Sequence, residues 1–151
     1  MMKPVLFLRI AAVLTLIHAA LHTIGGVFGK VEPGPAAIAV EAMKVNQFLL
    51  MGYTRSFWEF YRGMGLAVTV FLTAEAVVFW LLGSLAKTDA RRLRPILGAF
   101  LVGYAALAVN SYAYFFLAPV IVESLIAACL ALAIVTAKPE AAAYGGEARR
   151  V

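Results

Sequence analysis

Four long apolar runs, at residues 5–28, 57–86, 96–116 and 119–137, dominate the chain and leave little choice of fold. Each reaches the ~20 residues that a helix rising ~1.5 Å per residue needs to cross ~30 Å of hydrocarbon. Inside hydrocarbon a backbone must satisfy its own polar groups, so these runs are predicted to be helices. They are too long for strands and carry no internal turn signals. They also use most of the 151 residues, which predicts one membrane domain over 1–138 and a tail rich in Ala, Gly and charge over 139–151. The composition agrees: 64% of residues are hydrophobic and 14% charged, against roughly half and a quarter in soluble domains. A soluble globular domain and a disordered chain are therefore excluded. The single cysteine, Cys129, excludes an internal disulfide or a cysteine metal cage. It also excludes dithiol exchange with a quinone.

The breaks between runs have local causes. Gly25, Gly26 and Gly29 are expected to end the first helix, and Pro33-Gly34-Pro35 prevents its continuation. Ser56 and Glu59 have capping-box spacing at the start of the second run. Pro95 and Pro119 fit first helical turns. Almost no loop separates runs three and four, which predicts a tight hairpin. The expected fold is an all-α, antiparallel four-helix transmembrane bundle.

Basic residues give the topology. An even number of spans puts both termini on one side, with Lys3, Lys87, Arg91, Arg92, Arg94, Lys138, Arg149 and Arg150. The other side has Lys30, Lys44 and Arg55, partly offset by Glu32 and Glu41. The positive-inside rule then predicts a multi-pass protein of a bacterial inner (plasma) membrane with both termini cytoplasmic. The net charge of +5 is mostly this signal. Its spread over separate segments, with no interleaved aromatics, gives no nucleic-acid surface. A cleaved signal peptide would explain Met1-Met2-Lys3, but Arg9 interrupts the apolar stretch and no small-x-small site precedes the loop. In the long loop between runs one and two, residues 36–51 have helical spacing. Ile38, Ala42, Val45 and Leu49 are apolar, and Glu41, Lys44 and Gln47 polar. This predicts an amphipathic outer segment on the membrane surface, either a packing element or a lid.

Polar residues within spans are costly and usually face protein. On the first helix Ala11, Thr15, His18, His22 and Gly25 share a stripe, with Arg9 on the opposite face and expected to snorkel. On the third, Ala99, Gly103, Ala106, Asn110 and Tyr114 share a face. His22, Asn110, Tyr114 and Glu123 fall at one depth, with His18 a turn deeper. Glu75 sits mid-span on the second helix, while Arg62, Thr69 and Thr73 lie on its other side. One bundle cannot bury both faces, so a homodimer through this helix is expected. Trp58, Trp80, Tyr104, Tyr112, Tyr114, Phe115 and Phe116 read as interfacial belt.

These residues permit several chemistries. The spacing of His18 and His22 suits a metal, with Glu123 as a third ligand; the other reading is a hydrogen-bonded pair inside the bundle. Bis-histidine haem is excluded, since ligands on adjacent turns cannot flank one iron. A carboxyl, a histidine and an amide at one level could instead hold a quinone or lipid head, or do acid–base work on it. A purely structural network would look the same. The favoured expectation is a small lipophilic molecule in an outer-leaflet pocket, contacted by His22, Asn110, Tyr114 and Glu123, with His18 as floor. No cofactor is specified. The alternatives are a proton-coupled small-molecule transporter using Glu75 and a structural or accessory subunit.

Two stretches, His22-Thr23-Ile24-Gly25-Gly26 and Arg55-Ser56-Phe57-Trp58-Glu59-Phe60-Tyr61-Arg62-Gly63-Met64-Gly65, resemble a family of small four-span bacterial membrane proteins with no established activity. The resemblance runs over most of the chain. It implies the four-span fold and adds no catalytic residue. If the outer motif acts in that family, the resemblance implies His22, Trp58, Glu59 and Arg62 here.

Overall fold

The computed structural model of the protein describes residues 3–137; the tail 139–151, Lys138, Arg149 and Arg150 lie outside them. Five α-helices are present among the described residues: α1 (Lys3–Leu21), α2 (Pro35–Val45), α3 (Phe57–Asp89), α4 (Arg94–Tyr114) and α5 (Leu117–Thr136). A two-stranded antiparallel sheet, β1 (Gln47–Leu50) and β2 (Tyr53–Ser56), precedes α3. The long helices are apolar enough to cross a membrane, α1 with its continuation to Val27. Large apolar side chains such as Ile24, Val70, Phe71, Val102, Val109 and Val135 stay exposed on them. Exposure of this kind suits lipid rather than water, and the all-α reading as a small multi-pass membrane protein holds.

The chain forms two compact units. The first comprises residues 3–11 and 79–137 as described. Here α4 and α5 pack along one another, joined by only Phe115 and Phe116, as the missing loop predicted. On α5 the buried side is Glu123, Ile126, Leu130 and Ala133, a helical 3–4–3 spacing. Phe79 of α3 meets Phe100 edge-on at 4.9 Å and Tyr104 at 5.9 Å. Arg94 closes the far end: its Nε and Nη2 donate to the carbonyls of Ile134 (3.1 Å) and Ala137 (2.8 Å). These are among the carbonyls a helix C-terminus leaves without an intrahelical donor.

Two expectations fail in this unit. The inward side of α4 is Leu97, Tyr104 and Ser111, whereas Ala99, Gly103, Ala106, Asn110 and Tyr114 are exposed. Large side chains fill space between helices that small ones would leave empty, and Ser111 finds a carboxylate there. Tyr104 is accordingly core, at 1% exposure, not belt. Arg9 is held against α3. Its guanidinium lies 3.5 Å over the Trp80 ring, and Nη2 donates to Ser84 Oγ at 2.9 Å.

The second unit is residues 12–78. Here the helix does not stop at the glycines. It continues past Leu21 as a π-helical segment, His22–Val27. Gly29 then lies so close to Gly25 that a Cβ on it would clash with the Gly25 carbonyl oxygen. The outer segment is helical only as far as Val45. Residues 47–56 form a hairpin in which Gln47 pairs with Ser56 and Leu50 with Tyr53. Its turn residues, Met51 (φ 51°) and Gly52 (φ 87°), are both left-handed, the geometry two-residue hairpin loops require. Phe48 anchors the hairpin against Phe57 (4.8 Å) and Phe60 (5.7 Å). Both halves of the predicted capping box are present: Ser56 N–H donates to Glu59 Oε2 (2.7 Å) and Glu59 N–H to Ser56 Oγ (3.1 Å).

Candidate functional site

Residues 22–28 and 62–69 pack together within the second unit, so parts of the two motifs noted in the sequence meet. Gly65 is the contact point. A Cβ there would come within 2.9 Å of Val27 Cγ2, so the missing side chain is what admits Val27. The Gly65 carbonyl lies 3.0 Å from His22 Nε2. A carbonyl can only accept, so Nε2 carries the proton in this contact and a neutral ring keeps its lone pair on Nδ1. Nδ1 faces Gly26, 3.5 Å from where a Cβ would stand.

A chain of hydroxyls runs beside this bond. Thr23 Oγ1 donates to the Ala19 carbonyl (2.6 Å), and Thr69 Oγ1 is 2.9 Å from Thr23 Oγ1. With the Thr23 proton used on its own helix, Thr69 is the donor across the pair. Thr69 also lies 3.3 Å from the Gly65 carbonyl. Nearby, the Arg62 guanidinium sits 4.9 Å over the Phe28 ring, and its Nε is buried without a partner among the described residues. The threonine side of α3 thus meets α1 inside the chain.

A shallow open groove lies on another side of α3. It encloses about 600 Å³ and is lined by Arg55, Glu59, Phe60, Gly63, Met64 and Ala67. Gly63 leaves its floor open, with nothing within 4 Å of a Cβ position. Its polar end is well ordered by local bonds. Glu59 Oε2 is held by Ser56, and Arg55 Nη1 donates to the Thr54 carbonyl (2.9 Å). The other end is apolar.

The expected site residues fall as follows. In the second unit His18 and His22 are half-buried; His22 holds Gly65, and His18 Nδ1 is buried without a partner among the described residues. Glu75 is half-buried. In the first unit Glu123 is 4% exposed and its Oε1 accepts from Ser111 Oγ at 3.0 Å. Its Oε2 is buried without a hydrogen-bond partner among the described residues. Asn110 and Tyr114 are exposed, so Ser111 rather than Asn110 meets Glu123. Trp58 stacks on Tyr61 at 5.6 Å. Among the described residues no three His, Cys, Asp or Glu side chains converge in a way that could hold a metal.

Sequence reasoning gave Gly65 and Ser111 no contact and read Thr69 only as part of the polar side of the second span. A signal linking Gly65 to Thr69 was present: small Gly65 and hydroxylic Thr69 are one helical turn apart, which puts them on one face. No family model, curated protein or solved structure matches the chain.

Proposed function

We propose that the protein binds a small lipophilic molecule with a polar head, of quinone or lipid type, in the groove on α3. The carrying observation is the change along that groove from Arg55 and Glu59 to Phe60, Gly63, Met64 and Ala67. An amphiphile has the matching order, a head that accepts and donates hydrogen bonds and an apolar tail. Arg55 would meet a carbonyl or phosphate oxygen, and the Glu59 oxygen not used in the cap would accept from a hydroxyl. This keeps the idea of an outer-leaflet pocket but moves it from His22, Asn110, Tyr114 and Glu123 to residues gathered in one unit. The resemblance to small four-span bacterial proteins supports an inner-membrane setting. The distribution of lysine and arginine supports cytoplasmic termini, which would put the groove's polar end in the outer headgroup layer.

The test is retention of extractable quinones and lipids after purification in mild detergent, read by mass spectrometry. Gly63→Leu fills the floor and should remove a specifically retained species; Arg55→Gln should weaken it. If Gly63→Leu leaves the retained species unchanged, the reading is wrong. The transport alternative, keyed on Glu75, makes the opposite forecast. A proton-driven flux would be lost in Glu75→Gln and kept in Gly63→Leu.

A further inference from the structure

The groove leaves unexplained a second cation within a span, at the opposite end of α3 and wholly inside the first unit. Arg9 stands about 9 Å along α1 from Lys3 at ~1.5 Å per residue. Ser84 stands a similar distance before the end of α3 at Asp89. The Arg9 guanidinium is roofed by Trp80 at 3.5 Å and flanked by Gly83, where a Cβ would lie 3.4 Å from Arg9 Nε. It is therefore held in place rather than free to sweep. Yet among the described residues its charge has no counter-ion: the ion pairs there are Lys44–Glu41 and Arg92–Asp89. Nη1 is buried without a hydrogen-bond partner among the described residues. A π-face and one serine do not neutralise a guanidinium inside a span.

The other edge is open. The Nη2–Ser84 pair is at the surface, its two polar atoms 2.9 Å apart. Nη2 keeps a second N–H. The Ser84 hydroxyl, which accepts from Nη2, spends its own proton on a long 3.5 Å contact to the Trp80 carbonyl, so that proton can turn outward and donate. Lys87, exposed, follows Ser84 by one turn on the same side of α3. Two donors at this spacing, a second cation and an indole make a receptor for a phosphate oxyanion. At the depth of a helix end, the abundant phosphate is that of a phospholipid head.

We propose that Arg9 and Ser84, beside Trp80 and with Lys87 above, bind the phosphate of an acidic phospholipid in the leaflet at the end where α3 finishes. The bound phosphate accepts from Nη2 and from Ser84 Oγ and supplies the counter-charge that Arg9 lacks among the described residues. The site is separate from the groove and does not rest on its occupancy.

The test uses the full chain with Trp58→Phe, so that Trp80 is the one reporting indole, in vesicles of phosphatidylcholine. Tail-brominated phosphatidylglycerol is titrated in, with tail-brominated phosphatidylcholine as reference. Trp80 quenching should show about a fivefold preference for the acidic lipid, the scale of one basic contact near an anionic surface. Arg9→Gln should bring the preference close to one, and Ser84→Ala should reduce it. Equal quenching by the two lipids, or a preference that survives Arg9→Gln, overturns the proposal. Should Arg9→Gln fail to fold, exposed Ser84 carries the test, and an unchanged preference in Ser84→Ala overturns it. Excess inorganic phosphate should leave the preference in place. If it abolishes the preference, the site takes the free ion and the lipid proposal fails.

Discussion

At Gly65 one missing side chain serves two contacts. The absent Cβ admits Val27, and the carbonyl of the same residue accepts from His22. Gly65→Ala should therefore push Val27 away and strain the His22 bond, costing about 1–3 kcal/mol as an overpacking change. Thermal unfolding in detergent measures this. The cause can be checked by removing the obstructing methyl groups: Gly65→Ala with Val27→Ala should lose less than the sum of the single changes. Strict additivity would show that the contact does not limit packing here. The polar residues were only partly legible at this scale. Spacing placed His22 on an inward-leaning stripe and depth placed Glu123 level with it, and both are at least half-buried. It could not show their partners, because a backbone carbonyl as acceptor leaves no mark on the sequence. It misjudged α4, where small residues suggested close helix approach but Leu97, Tyr104 and Ser111 fill the interior. Small residues permit burial without requiring it.

At the scale of elements, the start of α3 is the best-specified boundary. Ser56 and Glu59 satisfy each other's backbone donors, and the spacing that does so can be read directly. Ser56→Ala should destabilise α3 by about 1 kcal/mol, with Ser56→Thr largely restoring it. Hydrogen exchange at residues 57–60 would report the fraying, and unchanged protection in Ser56→Ala would refute the cap's role. The hairpin was hidden for a physical reason. Its turn places Met51 at positive φ, a conformation few non-glycine residues adopt, so Met51-Gly52 gave a weak turn signal. The apolar residues Val45 and Leu49 meanwhile continued a helical rhythm into what became β1. The long helices were legible because a run of ~20 apolar residues has few other uses.

At the scale of the molecule, four membrane-length helices with exposed apolar sides make a chain whose solvent is largely lipid. With the cytoplasmic-terminus reading, a reporter fused after Ala90 should be active on the cytoplasmic side, and one placed between Met51 and Gly52 on the opposite side. Both sites lie in connections, after Asp89 and in the hairpin turn. The reverse pattern would overturn the orientation while leaving the helices as they are. Basic residues carry this information because translocating them is disfavoured, whereas the arrangement of side chains between helices has no comparable one-residue code.

The π-helical segment at His22–Val27 gives the chain a spare residue. Its i→i+5 bonds fit one more residue into a turn than the surrounding α-helix would hold. Shortening and lengthening the chain there should therefore have unequal effects. Deleting Gly25, whose Cβ position has nothing within 4 Å, lets the segment relax into ordinary α-helix with Val27 still directed at Gly65. Inserting an alanine at the same point adds a second surplus residue, and Val27 turns away from the gap Gly65 leaves for it. Melting temperatures of the two variants in detergent should separate, the deletion remaining close to the parent and the insertion falling well below. Equal losses would mean that the extra residue is not what sets the register of this turn.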